Sequence, residues 1–405
     1  MSEHKKILMV ICDGMGDRPC ESLDGMTPLQ RAEAPFMDSL AKNGMSGLMY
    51  TVGVGRVPGS DTAHLALLGY DPETTYTGRG PFEAMGAGLE VRPGDVAFRC
   101  NFATVDNLGV VLDRRAGRIH EGTEELAKAI DGMRIEDVQV IFKPGVEHRA
   151  TLLLRGPGLS SHITDADPHA DGVKMNHVAA TKPDGEKTAR ILNIFGQKAM
   201  AALMKSPVNK GKPRPANAIL ARGGGAVPHI QLFSERYKMK CAAVVGITLV
   251  KGICNFAGLE PIHVKGATGG ADTDYDAKAM AAAKALDTHD FVLLHYKAPD
   301  LFGHDDNPDG KVKAIEKIDA ALGKAFKGRE DVVIALTADH STPCSVKDHS
   351  SDPVPLVVSA PWLRKDRVEC FDEISAGEGA LGTVQGKDLL ALLIGCANRA
   401  EKFGA

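Results

Sequence analysis

Residues Asp331 to Pro355 read DVVIALTADHSTPCSVKDHSSDPVP, and this stretch decides the fold. The apolar run Val332-Val333-Ile334-Ala335-Leu336 leads straight into Thr337-Ala338-Asp339-His340. A run this short and β-branched predicts a strand buried on both faces of a parallel sheet. Asp339 and His340 then sit just past its carboxyl end, where open α/β sheets place their ligands. Nine residues on, His349 precedes Ser350-Ser351-Asp352-Pro353-Val354-Pro355, a stretch too proline-rich for a helix. An acid, an adjacent imidazole and a second imidazole on a returning loop make a metal pocket. Taken alone, they equally describe a surface Asp-His pair and a solvated loop histidine.

Two other apolar runs end the same way. Lys6 to Cys12 delivers Asp13 and Gly14, and Phe291 to Tyr296 delivers Asp300 after Lys297-Ala298-Pro299, with His304 four residues later. Asp-x-x-x-His brings both donors to one face if the turn is helical. Three buried strands each presenting a carboxylate at one sheet edge gather negative charge at high cost unless a cation is present. A multivalent metal is the economical explanation.

At 405 residues the chain exceeds what one core usually supports, so one large domain and one smaller one are expected. A net charge of −4 argues against nucleic acid or a membrane surface as partner. The apolar run before Asp13 is only six residues, too short for a signal peptide, and no stretch approaches a spanning helix. Eight cysteines scattered without a Cys-x-x-Cys pair fit reduced thiols in a cytoplasm.

Along the chain, Thr27-Pro28 opens a helix expected to reach about Lys42. In Pro58-Gly59-Ser60-Asp61-Thr62-Ala63-His64, Ser60 stands where a second helix begins, and Gly69 where it ends. Ser60 is either a helix cap or a nucleophile beside a helix N-terminus that favours a phosphoryl group. Glycines around Gly80 read as a connector. Asp137–Phe142 and His148–Arg155 then form a hairpin about Lys143-Pro144-Gly145, with a helix at about Gly185–Lys205. Arg99, Arg114, Arg115, Arg118, Arg149 and Arg222 cluster in this stretch, beside His162, Asp165, Asp167 and His169. Singly such arginines are solvated; as a set they suit an anionic substrate. The sheet pattern resumes from Ala242 to Lys251-Gly252 and in Pro261–Val264. Helices are expected over Asp274–Leu286, Lys311–Phe326 and Lys387–Arg399. The architecture predicted is α/β, a mostly parallel sheet flanked by helices over 1–85 and 230–405, interrupted by a smaller α+β insert at 86–229.

Asp13, Pro-Gly-Ser60-Asp-x-x-His, Asp300-x-x-x-His304, Thr-Ala-Asp339-His340 and His349 before Asp-Pro-Val-Pro resemble the alkaline phosphatase superfamily. Within it the chain resembles the archaeal type of cofactor-independent phosphoglycerate mutase. That likeness runs nearly end to end, through Tyr70-Asp71-Pro72, Gly78-Arg79-Gly80-Pro81, Asp113–Arg118, Thr164–His169 and Ala216–Gly223. The resemblance implies an alkaline-phosphatase-like core holding two divalent metal ions and needing no 2,3-bisphosphoglycerate. Asp300, His304 and His349 would hold one metal and Asp13, Asp339 and His340 the other, with Ser60 as nucleophile and ligand. Lys251 would meet the phosphoryl group. Arg222, with Arg99, Arg114, Arg118 and Asp165, would hold a small phosphorylated carboxylic acid. Ligation by oxygen and three imidazoles suits Mn²⁺ (or Zn²⁺ or Co²⁺) better than Mg²⁺. Ser-Asp-Thr-Ala-His replaces the Ser-Glu-Val-Gly-His of the longer bacterial mutases, whose His-rich insert motif is also missing. The implied activity is interconversion of 3- and 2-phosphoglycerate through a phosphoserine. The alternative is a metal-dependent phosphatase or phosphotransferase acting on another small phosphorylated acid, such as homoserine phosphate.

Overall fold

The computed structural model describes residues 4–227, 230–402 and 404. They divide into two compact units, 1–75 with 230–405 and 76–229. Strands β1 (Lys6–Cys12) and β2 (Gly44–Tyr50) precede the insert. Within it lie β3 (Val96–Val105), β4 (Val111–Asp113), β5 (Arg134–Ile135), β6 (Val138–Pro144), β7 (Arg149–Arg155) and β8 (Ala218–Ala226). After it come β9 (Cys241–Val244), β10 (Glu260–Pro261), β11 (Phe291–Tyr296), β12 (Val332–Thr337), β13 (Val354–Ser359) and β14 (Gly382–Gln385).

The first unit is built on one sheet in the order β10-β9-β11-β1-β12-β13-β2-β14. Five of its seven pairings are parallel. All of β11 and β12, and β1 from Ile7 onward, are buried, which is why these strands read as continuous apolar runs without alternation. β1 pairs in parallel with β11 on one side and β12 on the other. Asp13, Asp300 and Asp339 therefore leave three adjacent strands at one edge. β13 runs antiparallel to β12, so it begins at that same edge and brings the preceding loop, with His349, back over it.

Four local expectations are corrected. The first helix is two, Pro28–Arg31 and Pro35–Lys42, because Pro35 supplies no N–H and Ala34 before it leaves helical geometry. Residues 80–86 are not a connector but a helix of the insert that packs on β3. This moves the first boundary from 85/86 to 75/76. A Cβ on Gly80 would lie 1.9 Å from the Ala97 carbonyl oxygen, so the glycine there marks close packing. The run from Ala242 is a four-residue strand followed by a helix, Thr248–Ala257, whose buried face supplied the apparent strand signal. In the hairpin, Lys143 and Pro144 belong to β6, and the turn falls after them.

The insert's sheet runs β4-β3-β7-β6-β5, with β8 on β3. Alternation along the strands separates its two faces. Phe98, Cys100, Phe102, Leu152, Leu154 and Ile219 build one core, against Ile191, Leu192 and Phe195 of the helix Glu186–Met204. Arg99, paired with Arg222 on β8, and Asn101, paired with Arg149 on β7, occupy the other face.

Candidate metal centre and arginine basin

Ser60 is the first residue of the helix Ser60–Leu67; Gly59 holds the capping position, and no side chain caps the helix. The hydroxyl is thus free of the structural role that the sequence left open. Its Oγ lies 3.1 Å from His340 Nε2. Around this pair gather Asp13, Asp300 and Asp339, each 0–1% exposed.

The tautomers follow from the hydrogen bonds. Thr342 Oγ1 donates to Asp300 Oδ1 at 2.7 Å, so His340 Nδ1, 3.0 Å from the same hydroxyl oxygen, must donate to it. His349 Nδ1 donates to the Pro58 carbonyl at 2.8 Å and His304 Nδ1 to that of Lys347 at 2.9 Å. All three rings therefore turn Nε2 inward. His340 Nε2 is 3.2 Å from Asp339 Oδ2 and 3.5 Å from Asp13 Oδ1. His304 Nε2 and His349 Nε2 are 3.4 and 3.5 Å from Asp300 Oδ1. Lone pairs facing carboxylates at such distances repel unless a proton or cation lies among them, and a ring anchored through its other nitrogen is the usual habit of a metal ligand. Asp339 Oδ2, fully buried, has no hydrogen-bond partner. These residues fit a cation.

Around Ser60 and His340, among the described residues, three groups are close enough to share one: Asp13, Asp339 and His340; Asp300, His340 and His349; and His304, Asp348 and His349. The first matches the expected set. The expected Asp300–His304–His349 set is spread over the other two, with His340 stacked on His349 at a ring separation of 3.5 Å. The electrostatics agree with a charged site. Burial opposes ionisation of Asp300, yet His349 and the Lys297 ammonium hold its carboxyl well below the usual range. Asp339 is likewise held low against burial, by His340 and His64.

Three participants carried no expectation. Lys297 Nζ bridges Asp13 at 2.9 Å and Asp300 at 2.6 Å. His295 Nε2 donates to Asp13 Oδ2 at 2.9 Å, and burial pushes its pKa down to about 4. His64 Nδ1 donates to the Ser60 carbonyl at 2.7 Å and lies 3.5 Å from Asp339 Oδ2. The only sequence signal for His295 was a histidine inside an otherwise apolar strand. Lys251 lies on the helix Thr248–Ala257 and lines a small pocket with Asn255 and His263. Among the described residues no ion pair or hydrogen bond joins it to the carboxylates.

In the insert, all six clustered arginines line one cavity of about 300 Å³ with Asn101, Glu147 and His148. Asp167, fully buried, holds Arg114 through two bonds of 2.9 and 2.7 Å and lies 3.5 Å from Arg222. Arg222 Nε is buried without a partner. Burial, with Arg79 nearby, pushes Arg99 down to about 10, and burial lowers Arg222. Arg118 follows Ala116 and Gly117 in a run of left-handed residues with φ of 46°, 68° and 56°, held by Asp113 accepting from the Arg115 and Gly117 N–H groups at 2.8 Å. Asp165 does not line this cavity; its carboxylate accepts from the Gly223 N–H at 2.8 Å and contacts His169 at 3.2 Å. Asp167, two residues on, is the acid that pairs with Arg114 and Arg222, while Glu83 lies 3.3 Å from Arg99.

Comparison with known proteins places this geometry. The family model for 2,3-bisphosphoglycerate-independent phosphoglycerate mutase matches residues 41–209. The enzyme of that name from Methanothermobacter thermautotrophicus is 47% identical over 412 aligned positions, covering 99% of this chain and 100% of that one. The chain belongs to the 2,3-bisphosphoglycerate-independent phosphoglycerate mutase family. A relative from Methanocaldococcus jannaschii is also 47% identical, over 99% of both chains. Among solved structures, the cofactor-independent phosphoglycerate mutase of Thermoplasma acidophilum shares 38% identity and a TM-score of 0.76, over 97% of this chain and 100% of that one. A protein from Pyrococcus horikoshii shares 38% and 0.87, over 99% and 100%. The fold described above is shared with these two solved structures along nearly the whole chain.

Proposed function

We propose that this protein interconverts 3-phosphoglycerate and 2-phosphoglycerate through a phosphoserine at Ser60. The observation that carries the reading is Ser60 Oγ lying 3.1 Å from the Nε2 of His340, a residue shared by the Asp13–Asp339–His340 and Asp300–His340–His349 groups. Asp13, Asp339 and His340 would hold one divalent metal; Asp300 and His349, with His304, would hold the second. Bound there, the metals supply the positive charge that lowers the serine's pKa and offsets charge developing on the phosphoryl oxygens. Ser60 Oγ attacks phosphorus as the P–O bond to the glycerate oxygen breaks, and its position at a helix N-terminus favours the anion it receives. The glycerate's other hydroxyl then attacks the phosphoserine, its P–O bond to Ser60 breaks, and the isomeric phosphoglycerate forms. His340, its Nδ1–H fixed on Thr342, keeps its Nε2 lone pair turned to the metal position it shares with Asp13 and Asp339, 3.1 Å from Ser60 Oγ. Lys297 places a further ammonium beside Asp13 and Asp300. Lys251 is assigned to the phosphoryl group as well.

The arginine basin is assigned to the substrate's carboxylate, since guanidinium groups bind carboxylates by paired bonds. Arg222 has an unsatisfied buried Nε and Arg99 a depressed pKa, so both favour an arriving anion. Arg114 and Arg118 complete the wall, while Asp165 orders the backbone at Gly223. The native metal we assign is Mn²⁺, and the compartment is the cytoplasm, with which eight free thiols agree. No helix among the described residues is long and apolar enough to cross a membrane.

Supplied with 3-phosphoglycerate and no 2,3-bisphosphoglycerate, the protein should form 2-phosphoglycerate, read by coupling to enolase. Labelled free glycerate should not be incorporated. Chelation should stop the reaction, and Mn²⁺ should restore it better than Mg²⁺. Inorganic phosphate as the main product would replace the mutase reading with the phosphatase one.

A further inference from the structure

Lys311 and Asp17 form an ion pair outside the proposed ligand set, yet they touch two of the loops that carry it. Lys311, on the helix Pro308–Phe326, is 0% exposed. Its Nζ donates to the Gly16 carbonyl at 3.1 Å, to Asp17 Oδ2 at 2.7 Å and to the Thr342 carbonyl at 3.0 Å. Three ammonium hydrogens thus meet three acceptors. Gly16 and Asp17 lie on the loop leaving Asp13; Thr342 lies on the loop leaving Asp339 and His340. The same loops are stitched by the Thr342 N–H on Gly16 O at 3.0 Å and the Cys344 N–H on Asp17 Oδ1 at 3.1 Å. They approach so closely that a Cβ on Gly16 would lie 2.2 Å from Ser341 Oγ.

Asp17, Cys20 and Cys344 are spaced so that they could share a metal. The Lys311 ammonium already supplies the cation, with two backbone carbonyls completing its shell. An apolar pair of the same volume would pack as well and avoid desolvating two charges. What it could not do is draw two carbonyl oxygens from different loops to one point. Thr342 extends the effect, since its hydroxyl contacts both Asp300 and His340.

We propose that Lys311 and Asp17 are positioning residues that hold the loops after β1 and β12 at the separation where Asp13, Asp339 and His340 share one cation. This rests on the metal-dependent reading above. The test titrates Mn²⁺ into metal-free wild type, the double variant Lys311→Met/Asp17→Asn, the single variant Asp17→Asn, and Phe326→Leu. Phe326 is buried at the far end of the same helix and reports on destabilisation alone. Each protein is first shown to be folded by circular dichroism and to melt cooperatively. The double variant should bind Mn²⁺ about 10–100-fold more weakly, the range found when groups supporting metal ligands are removed. Asp17→Asn, which keeps an acceptor for Lys311, should weaken binding in the same direction by less. Phe326→Leu should bind as wild type does. Unchanged affinity in both Asp17 variants overturns the inference while leaving the metal reading intact; so does equal weakening in Phe326→Leu at a matched melting temperature. Wild type that binds no Mn²⁺ overturns the metal reading itself.

Discussion

The metal centre and the arginine basin solve opposite electrostatic problems with different parts of the backbone. At the centre, Asp13, Asp300 and Asp339 are buried at the ends of three adjacent strands; Lys297 bridges two of them, and histidines anchored through Nδ1 turn Nε2 towards them. In the basin, six arginines surround one cavity, and the acids nearby are too few to neutralise them. The chemistry of the centre therefore fits a cation, and that of the basin an anion. The basin's wall comes partly from sheet residues and partly from a loop at Ala116–Arg118 with left-handed backbone.

That contrast predicts a ranking. Ser60→Ala should cost the most, on the order of 10³-fold or more in kcat, because it removes the group that accepts the phosphoryl. Its circular dichroism should be unchanged, and no phosphoserine should form. A variant keeping more than a few per cent of wild-type activity would remove Ser60 from the mechanism.

Next comes Asp339→Asn, which takes a ligand charge from the centre. It should lower kcat by roughly 100-fold or more, beyond the 10–100-fold typical of supporting groups. Metal analysis should show fewer bound ions than in wild type. Full metal content with full activity would mean that Asp339 is not a ligand.

Arg222→Ala probes the basin. Losing one charge-assisted contact is worth about 1.5–3 kcal/mol, or roughly 10–100-fold in kcat/KM. The fraction of turnover ending as free phosphate should rise, because a loosely held glycerate lets water compete. If kcat/KM for phosphoglycerate is unchanged, the basin does not hold the substrate.

The smallest effect is on stability against pH. Folded His295, with its pKa pushed down to about 4 by burial, stays neutral where the unfolded chain takes up a proton. The unfolded state therefore binds more protons between about pH 6.5 and about pH 4, and stability falls as pH falls through that window. The melting temperature of the metal-free protein should show this slope, and His295→Asn should flatten it. An equal slope in the variant would assign it to other groups.

Much of the centre was legible because each ligand strand is short, apolar and ended by its acid. A buried strand cannot end in a carboxylate at random, so Asp13, Asp300, Asp339 and His340 stood out one by one. The six arginines were visible as a set, but not the reason they meet. Arg99, Arg149 and Arg222 share a face only through the registers of β3 with β7 and β8, and Arg114, Arg115 and Arg118 join them by way of a loop.

By itself, then, the sequence determined the α/β class, the edge where the carboxylates gather, the presence of an insert and the place of Ser60 at a helix start. Local periodicity and chain stops carry that information, and both are read within a dozen or so residues. Tertiary structure alone decided that Ser60 is not a cap, that Lys297 bridges two aspartates, and that His340 sits between two ligand groups. It also decided that Asp167 rather than Asp165 partners the arginines, and that Lys311 joins the loops after β1 and β12. Most of these depend on side chains tens to hundreds of residues apart meeting in a few ångströms. No local pattern of residues records such a meeting, because only packing brings it about.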